Sequence, residues 1–145
     1  MKVTIVEDPN IKETEISIVC EKMTNEINDI VSKISAVGLT VAGKKDEETF
    51  LIPIKEIFYF ESVDGKIFFC TENETYEAMA KHYKIEESLK NLRFSRISKT
   101  VIANLDKMLS IRKAENSRLT ATLVNQEKLI VSRQYVSEIK KKLGV

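Results

Sequence analysis

Residues 94–104 of the chain read Phe94-Ser95-Arg96-Ile97-Ser98-Lys99-Thr100-Val101-Ile102-Ala103-Asn104. The stretch begins with an aromatic residue, passes through a short run of basic and hydroxyl side chains, and continues with apolar residues. The apolar run from Val101 to Leu105 predicts a short strand. A basic loop that leads directly into a strand is therefore the feature around which the rest of the sequence is interpreted.

Runs of strand-forming residues recur at short spacing on both sides of this stretch. Upstream, the aromatic segment Ile57 to Glu61 and the segment Ile67 to Thr71 flank the dipeptide Asp64-Gly65, which is a strong hairpin signal. Downstream, three further short strands are predicted over residues 108–112, 118–124 and 128–131. The fold class that these patterns predict is mainly β with peripheral helices, that is α+β.

Helical periodicity appears in three places. The first helix is predicted from Glu21 to Val37, and the others cover residues 80–91 and 135–143. The apolar stripe of the first helix consists of Met23, Ile27, Ile30, Val31 and Ile34. Alternation predicts a strand before it, at residues 14–19, and another after it, at residues 39–42. Residues 1–48 are therefore expected to form a strand-helix-strand segment, and residues 49–145 the main β domain.

The net charge of +1 conceals an uneven distribution. Residues 1–90 carry 11 lysines and arginines against 18 aspartates and glutamates, whereas residues 91–145 carry 12 against 4. Such asymmetry favours a polyanion-binding surface in the second half of the chain. A basic surface that is solvated and binds nothing is the plain alternative, and charge alone does not separate the two.

The composition argues against an enzyme, a metal site and a bound cofactor. His82 is the only histidine, and the two cysteines, Cys20 and Cys70, are isolated from each other in the sequence. No glycine-rich phosphate loop or nucleophile motif is present. Because no apolar run is long enough to cross a membrane and the N-terminus does not look like a signal peptide, we expect a cytoplasmic protein.

The stretch 94–104 closely resembles the central signature of LytTR DNA-binding domains. Residues 57–61 are similar to the opening strand of that domain, which ends in a glutamate, and residues 128–133 are similar to the closing strand that leads into Ser-Arg. The resemblance covers about residues 50–145. It extends to a stand-alone bacterial group without a receiver domain, whose members share the Arg-Ile-Ser-Lys-Thr form of the signature.

This resemblance implies an elongated antiparallel fold of about ten short strands that binds duplex DNA through loops. The family's base contacts come from the first hairpin, the loop before the Val101 strand and the Ser-Arg loop, which place Lys66, Lys99 and Arg133 here. Phosphate contacts are expected from further basic and hydroxyl side chains, namely Arg96, Ser98, Thr100 and Ser132. The implied function is a sequence-specific transcription regulator that reads tandem sites.

Each of these residues also has a plain structural interpretation. Arg133, Lys99 and Lys66 are alternatively ordinary surface cations, and Arg96 alternatively pairs with a carboxylate that holds the loop. Asn104 is expected to fix a turn through its backbone rather than to touch DNA. At the level of function, the alternative is a non-catalytic protein-interaction module with no specific DNA target.

Two partners besides DNA are expected. The stripe of the first helix is too large for residues 1–48 to bury alone, so a homodimer is expected through this segment, with packing against the β domain as the alternative. In the stand-alone group the gene often neighbours one for a small membrane protein. The resemblance therefore implies a functional link to such a protein.

Overall fold

The computed structural model describes residues 1–145 and contains three helices and ten strands. The helices are α1 (Asn25–Ala36), α2 (His82–Ser88) and α3 (Val136–Leu143). The strands are β1 (Thr40–Lys45), β2 (Glu48–Pro53), β3 (Tyr59–Val63), β4 (Lys66–Cys70), β5 (Thr75–Ala78), β6 (Phe94–Arg96), β7 (Val101–Asn104), β8 (Met108–Lys113), β9 (Leu119–Leu123) and β10 (Lys128–Val131). The mainly β architecture that the sequence predicts is confirmed. None of the helices is both long and apolar enough to span a bilayer.

Seven strands form one antiparallel sheet in the order β2-β1-β5-β4-β3-β7-β6. The β3–β4 hairpin turns at Asp64 and Gly65, whose φ angles of 50° and 77° are the positive pair that a tight two-residue hairpin requires. The strand β2 lies at the edge of the sheet, as Pro53 predicts. Strands β8, β9 and β10 form a second antiparallel sheet.

Two hydrophobic cores lie on opposite faces of the larger sheet. Neighbouring residues of β3 separate them, because Tyr59 belongs to one cluster and Phe60 to the other, as the two-residue period of a strand requires. The first core includes Leu119, Ala121 and Leu123 of the second sheet and Ile139 of α3. The second core includes Ile85 of α2. The larger sheet is thus covered by α2 on one face and by the smaller sheet with α3 on the other.

A buried tyrosine connects the two sheets. The Tyr59 hydroxyl donates a hydrogen bond of 2.6 Å to Oε1 of Glu127, which lies in the turn between β9 and β10. Burial raises the pKa of Tyr59 well above its usual range, and the neighbouring Cys70 and Glu127 raise it further. The hydroxyl therefore remains a donor at any ordinary pH, and the link persists.

The N-terminal segment differs in part from the prediction. Residues 14–19, expected to form a strand from their alternation, form none, and α1 is the first regular element of the chain. The reason is that a strand needs a hydrogen-bonded neighbour, and no strand of either sheet pairs with this segment. The helix itself is confirmed, with Thr24 Oγ1 accepting from the Ile27 N–H as its N-cap.

The predicted boundary after residue 48 falls inside a hairpin. Strand β1 pairs with β2 from Thr40↔Pro53 to Lys45↔Glu48, and it also pairs with β5. Residues 40–45 are therefore part of the larger sheet, and of the predicted N-terminal segment only residues 1–39 precede that sheet. Strands β5 and β6, which the patterns did not reveal, have only four and three residues, too few for alternation to distinguish a strand from a loop.

Candidate nucleic-acid interface

Two loops of the larger sheet meet at one of its ends. Strand β3 pairs antiparallel with β7 at Glu61↔Val101, so the turn that follows β3 and the loop that precedes β7 lie side by side. The Ser62 N–H donates a hydrogen bond of 2.8 Å to the carbonyl of Thr100 across this junction. The sheet register therefore brings the first hairpin next to the signature loop 97–100.

Local hydrogen bonds give the signature loop its shape. The Ser98 hydroxyl oxygen accepts from the N–H groups of Thr100 and Val101 at 3.2 and 3.1 Å, which closes a tight turn. The guanidinium of Arg96 donates to the carbonyl of Lys99 at 2.9 Å and also pairs with Glu86 of α2. Because both side chains bind the loop backbone, the side chain of Lys99 is left exposed to solvent.

The Ser-Arg loop approaches from the smaller sheet. The Ser132 N–H donates a hydrogen bond of 2.8 Å to the carbonyl of Ile97, and the Tyr135 N–H donates one of 2.9 Å to the carbonyl of Ser132. A single 3-10 turn follows over Arg133–Tyr135, directly before α3. This turn leaves the side chains of Arg133 and Gln134 exposed beside the signature loop.

These two loops enclose a polar cleft of about 430 Å³, which we call the Lys99–Arg133 cleft. Six residues line it, and none is apolar or acidic: Ser98, Lys99, Thr100, Ser132, Arg133 and Gln134. Five of the seven residues predicted as DNA contacts are therefore brought together here. The sixth lining residue, Gln134, was not predicted, and its only signal in the sequence is an amide next to Arg133.

The other two predicted contacts lie outside the cleft. Lys66 begins β4 after the hairpin turn, its side chain is 64% exposed, and its Nζ is 3.9 Å from Oε1 of Glu77 on β5. Arg96 lies at the end of β6, where its guanidinium pairs with Glu86 and donates to the carbonyls of Ser98 and Lys99. The geometry thus gives Arg96 a positioning role, while Lys66 is a separate cation at the hairpin.

Asn104 occupies the structural position that its turn propensity predicts. Its side chain is buried, donates to the carbonyl of Ile57 at 2.9 Å and accepts from the Asp106 N–H at 3.0 Å. Phe94, Tyr59 and Phe60 are likewise packed against the two cores rather than displayed as a stacking surface. The accessible chemistry of the Lys99–Arg133 cleft is therefore that of cations, hydroxyls and one amide.

Comparison with known proteins places this geometry in a family. The model of the LytTr DNA-binding domain matches residues 47–144 of the chain. The solved structure of a LytTr DNA-binding domain from Bacillus cereus superposes with a TM-score of 0.67 at 24% identity, covering 73% of this chain and 97% of that chain. That likeness supports the fold.

Two curated proteins are similar to the chain over most of its length. The sensory transduction protein LytT of Bacillus anthracis is 29% identical over 86% of this chain, and this chain spans 50% of its length. An uncharacterized HTH-type transcriptional regulator of Staphylococcus aureus (strain bovine RF122 / ET3-1) is 24% identical over 100% of this chain and 99% of its own length. The chain thus spans about half the length of the LytT relative and nearly all of the staphylococcal one. With its family signature matched over most of its length, the chain belongs to the LytTR family of DNA-binding domains.

Proposed function

We propose that the protein is a transcription regulator that reads specific sequences of duplex DNA through the Lys99–Arg133 cleft. The observation that carries the proposal is that loops from two different sheets place Lys99 and Arg133 around one cleft without a carboxylate. An acidic residue there would repel phosphate, whereas two exposed cations attract it. This function needs no catalytic group, bound metal or cofactor.

The side chains around the cleft differ in what they can recognise. Arg133 carries a planar fork that fits O6 and N7 of guanine in the major groove, and Gln134 can bind N6 and N7 of adenine in the same bidentate way. Lys99 supplies a mobile point charge for a base acceptor or a phosphate. The hydroxyls of Ser98 and Thr100 lie 3.4 Å apart and share one hydrogen bond, so one of the two O–H groups donates within the loop. The other O–H group, together with that of Ser132, can donate to a phosphate.

The hairpin is expected to contribute less than the cleft. Lys66 is exposed, but Glu77 lies beside it and Asp64 occupies the turn itself. The carboxylate of Glu77 beside the ammonium, and the negative charge of Asp64 in the same hairpin, reduce the attraction of Lys66 for phosphate. We therefore propose that Lys66 contacts the DNA backbone at the margin of the interface, while base recognition centres on Arg133 and Lys99.

Selection of bound sites from random-sequence duplex, followed by footprinting with the full-length protein, tests the function. We expect enrichment of a defined sequence by the wild type and by a Lys44→Ala control, whose exposed lysine lies on β1. The Arg133→Ala and Lys99→Ala double variant should enrich much less. If the folded wild type retains no duplex at low salt, the proposal fails and the alternative of a protein-interaction module gains support.

We further propose that residues 1–48 mediate a homodimer that occupies tandem half-sites. Met23 at the start of the α1 stripe is 61% exposed, and in the preceding segment Val3 and Ile5 are 78% and 85% exposed. The stripe residues Ile27, Ile30, Val31 and Ile34 are only half-buried, and none packs against either hydrophobic core. Apolar surface of this kind is stabilised when a second copy covers it, and linking two modules raises their affinity for paired sites.

Sedimentation equilibrium of the full-length protein tests the dimer. We expect a dimer at micromolar concentration, which Met23→Glu should weaken and Tyr83→Glu, an equally exposed position on α2, should not. A monomeric wild type that binds one copy per site without cooperativity contradicts the proposal. The expected cytoplasmic location rests on the apolar patterning of the sequence. A functional link to a small membrane protein encoded nearby rests on the family resemblance, and the genes adjacent to this one provide the first check of that link.

A further inference from the structure

A cavity of about 830 Å³ lies where α1 meets the end of the larger sheet, away from the Lys99–Arg133 cleft. Its walls come from the second half of α1, the starts of β1 and β6, and the turns that follow β2 and β7. No residue lines both this cavity and the cleft. Its volume falls in the range of about 300–1,000 Å³ that small-molecule sites occupy, and it lies at a junction between two parts of the chain, where such sites are common.

One wall of the cavity is apolar and the other is charged. The apolar lining comprises Ala36, Val37, Leu39, Ile54, Leu92 and Phe94. The charged lining holds four cations, Lys33, Lys55, Arg93 and Lys107, against two carboxylates, Glu56 and Asp106. Neither Lys33 nor Lys55 forms an ion pair within the protein. Their ammonium groups are therefore available to a ligand.

Arg93 adds a donor that the protein does not satisfy. Its guanidinium bridges α1 to the turn after β7, with NH1 at 2.7 Å from Asp29 and Nε at 3.1 Å from Asp106. The Nε atom is nevertheless without a hydrogen bond, because the nearby Asp106 oxygen is not oriented to accept from it. Because this N–H is paired by charge with Asp106 but makes no well-aligned hydrogen bond, an anionic oxygen placed in the cavity would supply an aligned acceptor.

We propose that this cavity binds an organic anion with an apolar body, and that its occupancy regulates DNA binding. The apolar wall would cover the body, while Lys33, Lys55 and Arg93 would receive the acidic group. Two connections support regulation. Asn104, which lines the cavity, ends the strand β7 whose beginning follows the signature loop, and Arg93 ties α1 to the body through the same ion pairs that a ligand would compete for. The proposed regulation of DNA binding rests on the proposed function, whereas binding of the anion does not.

The probe 1-anilinonaphthalene-8-sulfonate has an aromatic body and one sulfonate, so it tests the site directly in the full-length protein. We expect saturable fluorescence enhancement and amide chemical-shift changes centred on residues 36–40, 54–56 and 92–94. The Lys33→Glu and Lys55→Glu double variant should bind the probe about tenfold more weakly, because two cation contacts are reversed. The Lys12→Glu and Lys44→Glu double variant makes the same change of net charge outside the cavity and should bind like the wild type.

Four outcomes are distinguishable. Probe binding confined to the cavity, together with a changed affinity for the selected duplex when the probe is saturating, supports both the anion site and its regulation of DNA binding. If probe binding is weakened equally in the two double variants, or if the chemical-shift changes are confined to residues 1–24, the proposed anion site is wrong. Probe binding in the cavity that leaves the affinity for DNA unchanged overturns the proposed regulation. If the protein binds no duplex at all, the proposed function fails, while the chemical-shift map still decides whether the cavity is an anion site.

Discussion

The backbone N–H of Ser132 donates a 2.8 Å hydrogen bond to the carbonyl of Ile97, and this bond joins loops that belong to different sheets. Ile97 is the first residue of the signature loop and is almost fully buried, whereas Ser132 immediately precedes Arg133. The bond therefore holds the Ser-Arg loop against the signature loop, whose own shape is fixed by the side chains of Ser98 and Arg96. A recognition surface built on such a contact is pre-organised, which reduces the entropy lost when DNA binds.

The first prediction concerns the two cations of the cleft. Arg133→Ala should weaken binding to the selected duplex by about 1–3 kcal/mol and relax the preference at one base position, because a bidentate contact to a base is lost. Lys99→Ala should also weaken binding. Competition between selected and scrambled duplexes measures both effects. Equal weakening on all sequences would assign Arg133 to phosphate instead, and unchanged binding by both variants would contradict the proposed interface.

Arg96 provides a test of positioning against phosphate contact. Because its guanidinium holds the carbonyl of Lys99 and pairs with Glu86, Arg96→Ala should lower the affinity by disordering the loop while the slope of log K against log salt stays the same. Arg96→Lys should not restore binding, since lysine lacks the fork. Loss of about one unit from the slope would show that Arg96 contacts phosphate, as the sequence analysis expected.

Salt dependence is a third prediction. With about six phosphates neutralised by lysines and arginines of the basic second half of the chain, affinity for the duplex should fall by about 10³ between roughly 50 and 200 mM salt. Fluorescence anisotropy over a salt series measures the slope. A flat profile would mean that the basic half of the chain does not face the phosphates.

Asn104 should matter for stability rather than for DNA contact. Its buried amide serves both the Ile57 carbonyl and the Asp106 N–H, so Asn104→Ala should lower the free energy of unfolding by about 1–3 kcal/mol. Asn73→Ala, at an exposed position in the turn between β4 and β5, is the matched control and should change little. Urea unfolding followed by circular dichroism compares them. Full stability of Asn104→Ala would show that water replaces the amide without cost.

The close packing of β1 against side chains of β4 and β5 within the larger sheet yields a further prediction. A Cβ atom added at Gly43 would lie 2.5 Å from Cζ of Phe69 and 2.7 Å from Cβ of Tyr76. Gly43→Ala should therefore destabilise the protein by about 1–3 kcal/mol through overpacking. Adding Phe69→Leu should make the cost of Gly43→Ala smaller, and a double-mutant cycle on thermal unfolding measures that coupling. Additive effects would show that the ring is not the obstacle.

The sequence by itself determined those features whose causes are local. The Asp64-Gly65 hairpin follows from two positive φ angles, α1 from its cap at Thr24, and the α3 terminus from Gly144 in the left-handed conformation. The family resemblance, which is carried by short local motifs, identified five of the six residues that line the cleft.

Only the tertiary structure decided which of these residues act together. Whether residues 14–19 pair as a strand depends on a neighbour that no local pattern reveals, and β5 and β6 exist because longer strands beside them supply hydrogen bonds. Gln134 joins the cleft, and Arg96 turns away to the loop carbonyls, because of contacts between segments far apart in the chain. Alternation and turn chemistry act over a few residues, whereas the meeting of Ile97 with Ser132 requires both sheets to be folded and packed.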